Sequence, residues 1–353
     1  MHILHVVGAR PNFMKAAPVL QALKKRGHRQ TLVHTGQHYD ANMSDLIFRQ
    51  LGLPEPDYNL EVGSLPHAAQ TAQIMVRFEE VALKEKPDLV LVYGDVNSTV
   101  AAALVCAKLP IPVGHVEAGL RSGDRSMPEE INRLLTDQVC DLLFTPSMDG
   151  DKNLLREGVA KKKIRRVGNV MIDTLVRLLP KARPPELSGL EEPYILVTLH
   201  RPSNVDDPAS LKRILHALRE VSGKAQVVFP VHPRTRKRIQ DGDIETGDGS
   251  RLFLLEPVGY LEFLALQKDA AAVVTDSGGI QEESSFLRVP CLTVRENTER
   301  PITLTRGTNT LVGTDMGKLA RELAHILAGK GKKGSDIPLW DGKAAERIAD
   351  SIA

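Results

Sequence analysis

Two successive series of short apolar runs, each alternating with longer amphipathic stretches, constrain the fold of this chain more than any other feature of its sequence. Apolar runs bounded by Gly, Pro and Asp are typical of parallel strands that helices cover on both faces. The strands predicted in the first series are residues 2–7, 30–34, 88–92, 111–116 and 142–145. The helices predicted between them are residues 13–26, 41–51, 67–85, 97–108 and 129–139.

The second series begins after a hydrophilic, proline-bearing stretch, and its predicted strands are residues 194–198, 226–230, 252–255, 271–275 and 290–294. Single cores usually stop growing near about 250–300 residues, so a chain of 353 residues has room for two. We therefore predict an α/β fold with two doubly wound, Rossmann-like domains, residues 1–170 and 171–342, whose sheets face a shared cleft. A last helix, residues 343–353, is expected to pack back on the first domain.

The charge balance and the cysteines limit which partners the protein is expected to bind and the compartment in which it is expected to work. The 46 Lys and Arg residues nearly cancel the 44 Asp and Glu residues, so the chain lacks the broad positive field that holds nucleic acid or an anionic membrane. Its three cysteines show no CxxC spacing, which fits buried thiols rather than a disulfide or zinc framework. No apolar stretch approaches the roughly 20 residues of a membrane span. We expect a cytoplasmic protein.

The loop after the first predicted strand has the features of a diphosphate clamp. Gly8 permits a tight turn, while Arg10 and Lys15 flank the start of a helix. The loop lacks the GxGxxG spacing of a dinucleotide site, so bound NAD is not expected. The alternative is a plain turn with two solvated cations.

Acidic residues follow two neighbouring predicted strands and open a helix. Asp95 and Glu117 come at strand ends, and Glu129 is expected to share a helix face with Arg133 at i, i+4 spacing. Acids near a helix start also compensate the helix dipole without further function. Carboxylates that lie close together raise one another's pKa and suit proton transfer. The three acids therefore predict a site that handles protons.

The second series offers two histidines and a glycine turn at strand ends. His200 and His232 each lie beside an arginine, although a lone His there is more often structural, and no metal-ligand spacing accompanies them. Ser277, Gly278 and Gly279 leave the amides of a helix start open to a phosphate. Glu283, about one turn further on, could accept hydrogen bonds from ribose hydroxyls.

Eight segments together resemble the non-hydrolysing UDP-N-acetylglucosamine 2-epimerases. They run in the family's order over residues 8–301: GARPNFMK, TGQHYD, GDVNST, HVEAGLRSG, PEEINR, HRPSN, DSGGIQEE and RENTERP. The resemblance implies a fold like that of GT-B glycosyltransferases. It also implies a reaction that eliminates UDP to give 2-acetamidoglucal and adds it back with C2 inverted, with no cofactor and no metal, in a homodimer that feeds polysaccharide biosynthesis.

The resemblance also assigns roles by matching position. Asp95, Glu117 and Glu129 would be the acid/base carboxylates, with His200 beside them. The residues implied to bind the UDP-sugar are Arg10, Lys15, Arg133, Ser277, Gly278, Gly279, Glu283 and Arg300.

The sequence departs from the commoner family pattern at four positions. Asn12 replaces an acid and Ile302 replaces Glu, neither at an acid/base position. Bacterial relatives carry a second UDP-N-acetylglucosamine site that activates the enzyme, and there Asp40 and Ala69 replace Gln and Arg. The candidate allosteric residues are Gln37, His38, Gln70 and His232. Substrate activation is therefore expected to be weak or absent.

Three other functions remain open from the sequence. A GT-B glycosyltransferase would share the domains and the nucleotide loop but would need only one base. An epimerase for a modified sugar, such as a UDP-2,3-diacetamido uronic acid, would differ by a few side chains. A nucleotide-sugar sensor would bind without reacting, which acids at all three positions argue against.

Overall fold

The computed structural model describes residues 1–37, 48, 50–242 and 251–352. It divides into two compact units, the first comprising Met1–Arg177 with Pro338–Ala353 and the second comprising Leu178–Ile337. The division thus falls at the end of a helix, and the chain returns to the first unit for its last residues.

Unit 1 is built on a parallel sheet with the strand order β3-β2-β1-β4-β5-β6-β7. Its described strands are β1 (His2–Val7), β2 (Arg29–His34), β3 (Tyr58–Asn59), β4 (Leu89–Tyr93), β5 (Val113–Val116), β6 (Leu142–Thr145) and β7 (Ile164–Arg166). β1, β4 and β5 are buried along their whole length, as expected of central strands that helices cover on both faces. The strand order reverses between β1 and β4, the point at which such sheets bind ligands.

Six helices accompany these strands in the part of unit 1 that the structure describes. They are α1 (Arg10–Lys25), α2 (His67–Glu85), α3 (Asn97–Lys108), α4 (Pro128–Val139), α5 (Met148–Arg156) and α6 (Val170–Leu178). A short 3-10 turn, Lys161–Lys163, precedes β7. The helix predicted over residues 41–51 falls mostly outside the described residues.

Unit 2 repeats the design with the strand order β10-β9-β8-β11-β12-β13, again parallel. Its described strands are β8 (Tyr194–Thr198), β9 (Gln226–Pro230), β10 (Leu252–Leu255), β11 (Ala272–Thr275), β12 (Cys291–Thr293) and β13 (Asn309–Leu311). The order reverses between β8 and β11. Two parallel α/β sheets confirm the predicted fold class, while the shared cleft stays a prediction.

The helices of unit 2 begin in several cases with proline, which suits a first helical turn because its missing N–H would have no partner there. They are α7 (Pro202–Val205), α8 (Pro208–Ser222), α9 (Pro233–Asp241), α10 (Tyr260–Asp269), α11 (Gly278–Leu287), α12 (Pro301–Thr305) and α13 (Met316–His325). A 3-10 turn, Leu179–Lys181, lies before β8, and a π-helical turn, Ile326–Lys330, follows α13.

The last helix, α14 (Ala344–Ile352), packs on α1 of unit 1. Its first turn is capped by Asp173, whose carboxylate accepts the N–H groups of Ala344 at 3.0 Å and Ala345 at 2.7 Å. The indole N–H of Trp340 donates to the carbonyl of Pro146 at 2.9 Å and fixes the approach to this helix. None of the described helices is both long and apolar enough to cross a membrane.

Candidate active site

The carboxyl ends of β1, β4 and β5 lie side by side at one edge of the first sheet, because β4 pairs with both of the other strands. The chain that leaves these ends carries Lys15 in α1, Asp95 in the loop after β4 and Glu117 directly after β5. The predicted cluster of charged side chains at neighbouring strand ends is therefore built on the central strands of the unit.

Glu117 and Lys15 form a buried ion pair. The Lys15 ammonium donates to Glu117 Oε2, and the two side chains are only 6% and 4% exposed, respectively. A charge of this kind is very costly to bury unless it is paired and hydrogen-bonded. The plain-turn alternative, in which Lys15 is a solvated cation, does not describe this lysine.

The backbone at Glu117 is strained. Its φ is +78°, a region that a residue with a Cβ seldom occupies, and the N–H groups of Glu117 and Ala118 both donate to the carbonyl of Phe144. Strain of this kind costs of order 1–3 kcal/mol and clusters at functional sites. The kink lies directly at the residue whose carboxylate pairs with Lys15.

Gly94, at the end of β4, allows this close packing. Its φ is +65°, and a Cβ there would lie 2.7 Å from the Lys15 ammonium. The Gly94 N–H donates to the carbonyl of Val116 at 3.0 Å, and its carbonyl lies 2.8 Å from Nε2 of His115. β5 therefore holds both backbone groups of the residue before Asp95.

Asp95 and Glu130 share the guanidinium of Arg133. Arg133 donates from Nη1 to the Asp95 carboxylate, and from Nε and Nη2 to Glu130 Oε2 at 3.0 and 2.6 Å. Burial alone would raise the pKa of Glu130, but hydrogen bonds from the Ser122 N–H and from Arg133 lower it overall. Arg133 thus pairs with Glu130 at i, i+3 spacing, a partner that the sequence analysis did not name.

Two other candidate residues of unit 1, Glu129 and Arg10, are more exposed to solvent. Glu129 is half-buried in the first turn of α4, and its carboxylate makes no hydrogen bond or ion pair with any residue that the structure describes. Arg10 is exposed in the first turn of α1. Their roles stay predictions.

The hydrogen bonds of Asn12 explain why an amide stands at this position, where the family usually has an acid. Its Oδ1 accepts the N–H groups of Gly8 at 3.0 Å and Ala9 at 3.1 Å, while its Nδ2 donates to the carbonyl of Tyr93 at 2.8 Å. An ionised acid, the residue usual in the family, could accept these hydrogen bonds but could not donate one to the Tyr93 carbonyl. Asn12 therefore ties the first loop to the end of β4.

The candidate allosteric residues Gln37 and Gln70 are buried and connected. Gln37 Oε1 accepts from the N–H and hydroxyl of Ser98 at 3.0 and 2.7 Å, and the Gln37 carbonyl lies 3.3 Å from Gln70 Nε2. Gln70 Oε1 accepts from Asn97 at 2.8 Å. Ala69 is exposed on α2, whereas His38 and Asp40 lie outside the described residues.

Asn97 and Asn132 extend this chain of hydrogen bonds to Asp95. The Asn132 amide donates to Asn97 Oδ1 at 3.2 Å and to the Asp95 carbonyl at 2.9 Å. The chain of side chains from Gln37 thus ends on the backbone of a candidate catalytic residue. The sequence motifs contained both asparagines, but nothing in their spacing indicated this connection.

In unit 2, His200 is held by a residue that the sequence analysis did not select. The fully buried carboxylate of Asp276 accepts the N–H groups of His200 and Arg201 at 3.1 and 2.9 Å, and it lies 3.0 Å from the His200 ring. Burial alone would raise the pKa of Asp276, but these hydrogen bonds and that of Asn204 lower it. The His200 side chain itself stays largely exposed. The signal that could have found Asp276 is its place directly after β11.

His232 has a local structural role. Its ring Nδ1 accepts the N–H of Arg234 at 3.2 Å and so caps the start of α9, while the side chain remains exposed. The allosteric role stays a prediction.

The start of α11 is a site suited to an anion. Ser277 is the N-cap, and the Arg300 guanidinium lies so close to Gly278 that a Cβ there would be 2.7 Å from its central carbon. Arg300 forms an ion pair with Glu282, whose Oε1 lies 2.9 Å from Arg300 Nε, and Glu299 Oε1 accepts a hydrogen bond from Arg300 Nη1 at 2.5 Å. A fixed guanidinium beside helix N–H groups attracts phosphate through charge and dipole together.

Glu283 is a buried residue of α11. It is 1% exposed, and its carboxylate accepts from the Tyr260 hydroxyl at 2.8 Å. Its contact with a ribose stays a prediction. Within the described ranges, no three His, Cys, Asp or Glu side chains gather as a metal-ligand set.

Comparison with known proteins gives one consistent family. The family model described as UDP-N-acetylglucosamine 2-epimerase matches residues 21–353. A UDP-N-acetylglucosamine 2-epimerase of Methanocaldococcus jannaschii is 44% identical, covering 99% of this chain and 98% of the relative. A UDP-2,3-diacetamido-2,3-dideoxy-D-glucuronate 2-epimerase of Pseudomonas aeruginosa is also 44% identical, covering 100% and 99%.

A solved structure shares the whole fold. The crystal structure of Methanocaldococcus jannaschii UDP-GlcNAc 2-epimerase, determined in complex with UDP-GlcNAc and UDP, has a TM-score of 0.90 and 42% sequence identity. The match covers 100% of this chain and 99% of that chain. The eight motifs therefore belong to a likeness that extends over the full length.

Proposed function

The chain belongs to the UDP-N-acetylglucosamine 2-epimerase family, and on that premise we propose that it inverts C2 of UDP-N-acetylglucosamine, interconverting it with UDP-N-acetylmannosamine. The observation that carries the proposal is the buried pair of Lys15 and Glu117 at a strained strand end, beside Gly94, the residue that precedes Asp95. Backbone strain and buried charge cluster at functional sites. Two acidic strand ends that combine both features are suited to proton transfer.

The chemistry proceeds by elimination and addition. A base removes the C2 proton, the C1–O bond to UDP breaks, and the electron pair forms the C1–C2 double bond of 2-acetamidoglucal. A proton then returns to the opposite face of C2 while a UDP oxygen attacks C1. The C2 proton is only weakly acidic, so the departure of UDP must assist its removal.

Carboxylates on the first sheet supply the proton transfers. Glu117 and Asp95 act with their cationic partners Lys15 and Arg133, and Glu129 is the third carboxylate of the set. A positioned base contributes about 10²–10⁴ in rate, so the rest of the barrier must fall through orientation and charge stabilisation.

Unit 2 stabilises the leaving group. The N-terminus of α11, at Ser277, Gly278 and Gly279, binds the diphosphate together with Arg300, and Glu283 binds the ribose. The fixed donors develop their full effect as negative charge builds on the departing UDP, which is how electrostatic preorganisation lowers a barrier. Arg10 and His200 complete the contacts to the diphosphate and sugar.

Turnover of the sugar tests the proposal. Proton NMR of UDP-N-acetylglucosamine with the enzyme should show the anomeric signal of the manno epimer, growing to an equilibrium that is also reached from UDP-N-acetylmannosamine. The variants Asp95→Asn and Glu117→Gln should lose this conversion while retaining UDP binding. Binding of UDP by the native enzyme without any manno signal would refute the assignment to this sugar.

A second candidate substrate has a specific observation in its favour. The diacetamido-glucuronate 2-epimerase is as similar to this chain as the UDP-N-acetylglucosamine 2-epimerase, at 44% identity each. The reaction would be the same, with a carboxylate at C6 and a second acetamido group at C3. Comparing kcat/KM for the two UDP-sugars under one set of conditions decides between them.

The assembly and the compartment follow as further proposals. One face of α2 exposes Ala69, Ala72, Val76 and Leu83, of which Val76 is 62% and Leu83 55% exposed, and a second copy in a homodimer would cover them. Three buried free thiols fit the reducing cytoplasm. The product would serve polysaccharide biosynthesis. Sedimentation of native protein and of Val76→Glu, which should be monomeric, tests the dimer.

A further inference from the structure

His115 lies fully buried beneath the two acidic strand ends, in the middle of β5. Its ring Nδ1 is 2.7 Å from Asp137 Oδ1, and its ring Nε2 is 2.8 Å from the carbonyl oxygen of Gly94. Neither hydrogen bond belongs to the roles assigned above. Both are short, and water has no access to the ring.

The two hydrogen-bond partners of the His115 ring determine which of its nitrogens carry protons. A backbone carbonyl only accepts hydrogen bonds, so Nε2 must be the donor to Gly94. An ionised carboxylate also only accepts, so Nδ1 must be the donor to Asp137. A neutral imidazole has one N–H and satisfies only one of these contacts, whereas an imidazolium satisfies both.

Asp137 is built to remain ionised. Its second oxygen, Oδ2, accepts the Gly119 N–H at 3.0 Å and the Arg121 guanidinium at 2.7 Å. Burial alone would raise the pKa of Asp137, but the charges and hydrogen bonds of His115 and Arg121 lower it overall. A proton on Asp137 would therefore remove the acceptor that these donors share.

The groups around the ring balance its charge. Arg121 also binds Glu157 through two hydrogen bonds at 2.8 and 2.7 Å, so the carboxylates of Asp137 and Glu157 face the cations of His115 and Arg121. The Lys15–Glu117 pair, on the other side of Gly94, is neutral as a whole. A buried imidazolium thus has its counter-charge in place.

The contact to Gly94 links this network to the acidic residues. The Gly94 carbonyl is held by His115 and its N–H by Val116, so the peptide that leads into Asp95 is fixed in orientation. Two residues after His115, the same strand kinks at Glu117. One ring therefore sets the position of both strand ends.

We propose that His115 is a doubly protonated positioning residue, an imidazolium that locks the Gly94–Asp95 turn against β5 and thereby places Asp95 and Glu117 for proton transfer. The positioning role rests on the proposed function, whereas the protonation state does not. His115 contacts no substrate in this scheme and acts only through its neighbours.

Nitrogen NMR of protein labelled at its 11 histidines tests the protonation state. One signal should show both ring nitrogens protonated at neutral pH and should disappear in His115→Gln. The exposed residue His216 is the matched control, because His216→Gln should remove a different signal and leave the His115 signal unchanged. A His115 signal with a single protonated nitrogen at neutral pH would overturn the inference.

Kinetics test the positioning role. His115→Gln should lower kcat about 100-fold with KM changed less than about threefold, since small misplacements of catalytic groups cost rates of this size. Asp137→Asn should convert His115 to a neutral ring protonated on Nε2 and lower kcat similarly. Circular dichroism identifies a variant that fails to fold. If a variant does not fold, the inference is tested by the protonation signal of His115 in the native enzyme. Native kcat in both folded variants would refute positioning.

The two proposals fail separately. An enzyme that epimerises neither UDP-sugar but shows doubly protonated His115 counts against the proposed function only. An active epimerase with a neutral His115 counts against this inference only.

Discussion

The ammonium of Lys15 and the carboxylate of Glu117 meet in an ion pair that joins the second turn of α1 to the end of β5, and neither side chain is more than 6% exposed. The backbone of Glu117 is held at φ +78° to make this contact. Lys15 therefore compensates a buried acid at the edge where the sheet reverses its strand order, and its first role is within the protein rather than toward solvent.

Removing Lys15 should destabilise the protein and abolish activity together. In Lys15→Met the Glu117 carboxylate stays buried without its cation, which typically costs about 3–5 kcal/mol in the free energy of unfolding. Urea unfolding and turnover measure the two effects. The double variant Lys15→Met with Glu117→Leu should recover most of the stability, because two apolar groups replace the pair, but none of the activity. A stable single variant would contradict the buried pairing.

Gly94→Ala should lower both stability and kcat by more than the left-handed backbone conformation at Gly94 alone would cause. A Cβ at Gly94 would lie 2.7 Å from the Lys15 ammonium, whereas at Gly27, with φ +76°, it would meet nothing within 4 Å. Gly27→Ala is therefore the matched control and should cost only the strain of the left-handed region, about 1–2 kcal/mol. We expect Gly94→Ala to lose more stability than this and at least about 100-fold in kcat. Equal effects at both glycines would show that the close approach does not matter.

Gly278→Ala should weaken nucleotide binding. The new methyl group would displace the Arg300 guanidinium from the start of α11, so the Kd for UDP should rise about tenfold or more in calorimetry. Gly223→Ala, at the end of α8, is the control, because the nearest atom to a Cβ there is 3.6 Å away, and it should bind UDP normally. Unchanged UDP affinity in Gly278→Ala would remove Arg300 from the phosphate site.

Asp276 should stabilise the protein in a way that depends on pH. The folded pKa of Asp276 lies below its unfolded value, so its contribution is present above the unfolded pKa, near about 4, and is lost as pH falls through the folded pKa. The difference in unfolding free energy between native protein and Asp276→Asn should be about 3 kcal/mol or more at pH 7 and smaller at pH 3. Asp336→Asn, at a fully exposed aspartate, should change stability by less than about 0.5 kcal/mol. A difference in unfolding free energy that grows at acid pH would contradict a lowered pKa of Asp276 in the folded protein.

Substrate activation should be weak or absent. Ala69 stands where the activating site of bacterial relatives has an arginine, and Gln70 beside it is engaged by Asn97 and by backbone carbonyls. The initial rate with UDP-N-acetylmannosamine alone should rise hyperbolically with concentration. An absolute need for traces of UDP-N-acetylglucosamine would show that the site functions despite Ala69.

The central strands of both sheets could be predicted from the sequence because each is a continuous apolar run between turn residues. β3, β7 and β13 were missed. They are edge strands of two or three residues, too short to show a periodicity and only partly buried. The β1–α1 loop was predicted from the turn chemistry of Gly8, which is local.

Pairing between loops could not be predicted in the same way. Asp276 holds His200 across 76 residues of sequence, and Asp137 holds His115 across 22, so the partner depends on which strands are neighbours. The choice of Glu130 over Glu129 as the partner of Arg133 depends on the turn at Ser122 and Gly123, whose N–H groups fix the Glu130 carboxylate. Helix spacing allows either acid.

Exchange of the C2 proton with solvent tests the central claim most directly. In D2O, mass spectrometry of UDP-N-acetylglucosamine and its epimer should show one deuterium incorporated at C2 with the native enzyme, and Glu117→Gln and Asp95→Asn should abolish it. Conversion to the manno epimer without deuterium at C2, or undiminished exchange in both variants, would contradict proton transfer by these two carboxylates.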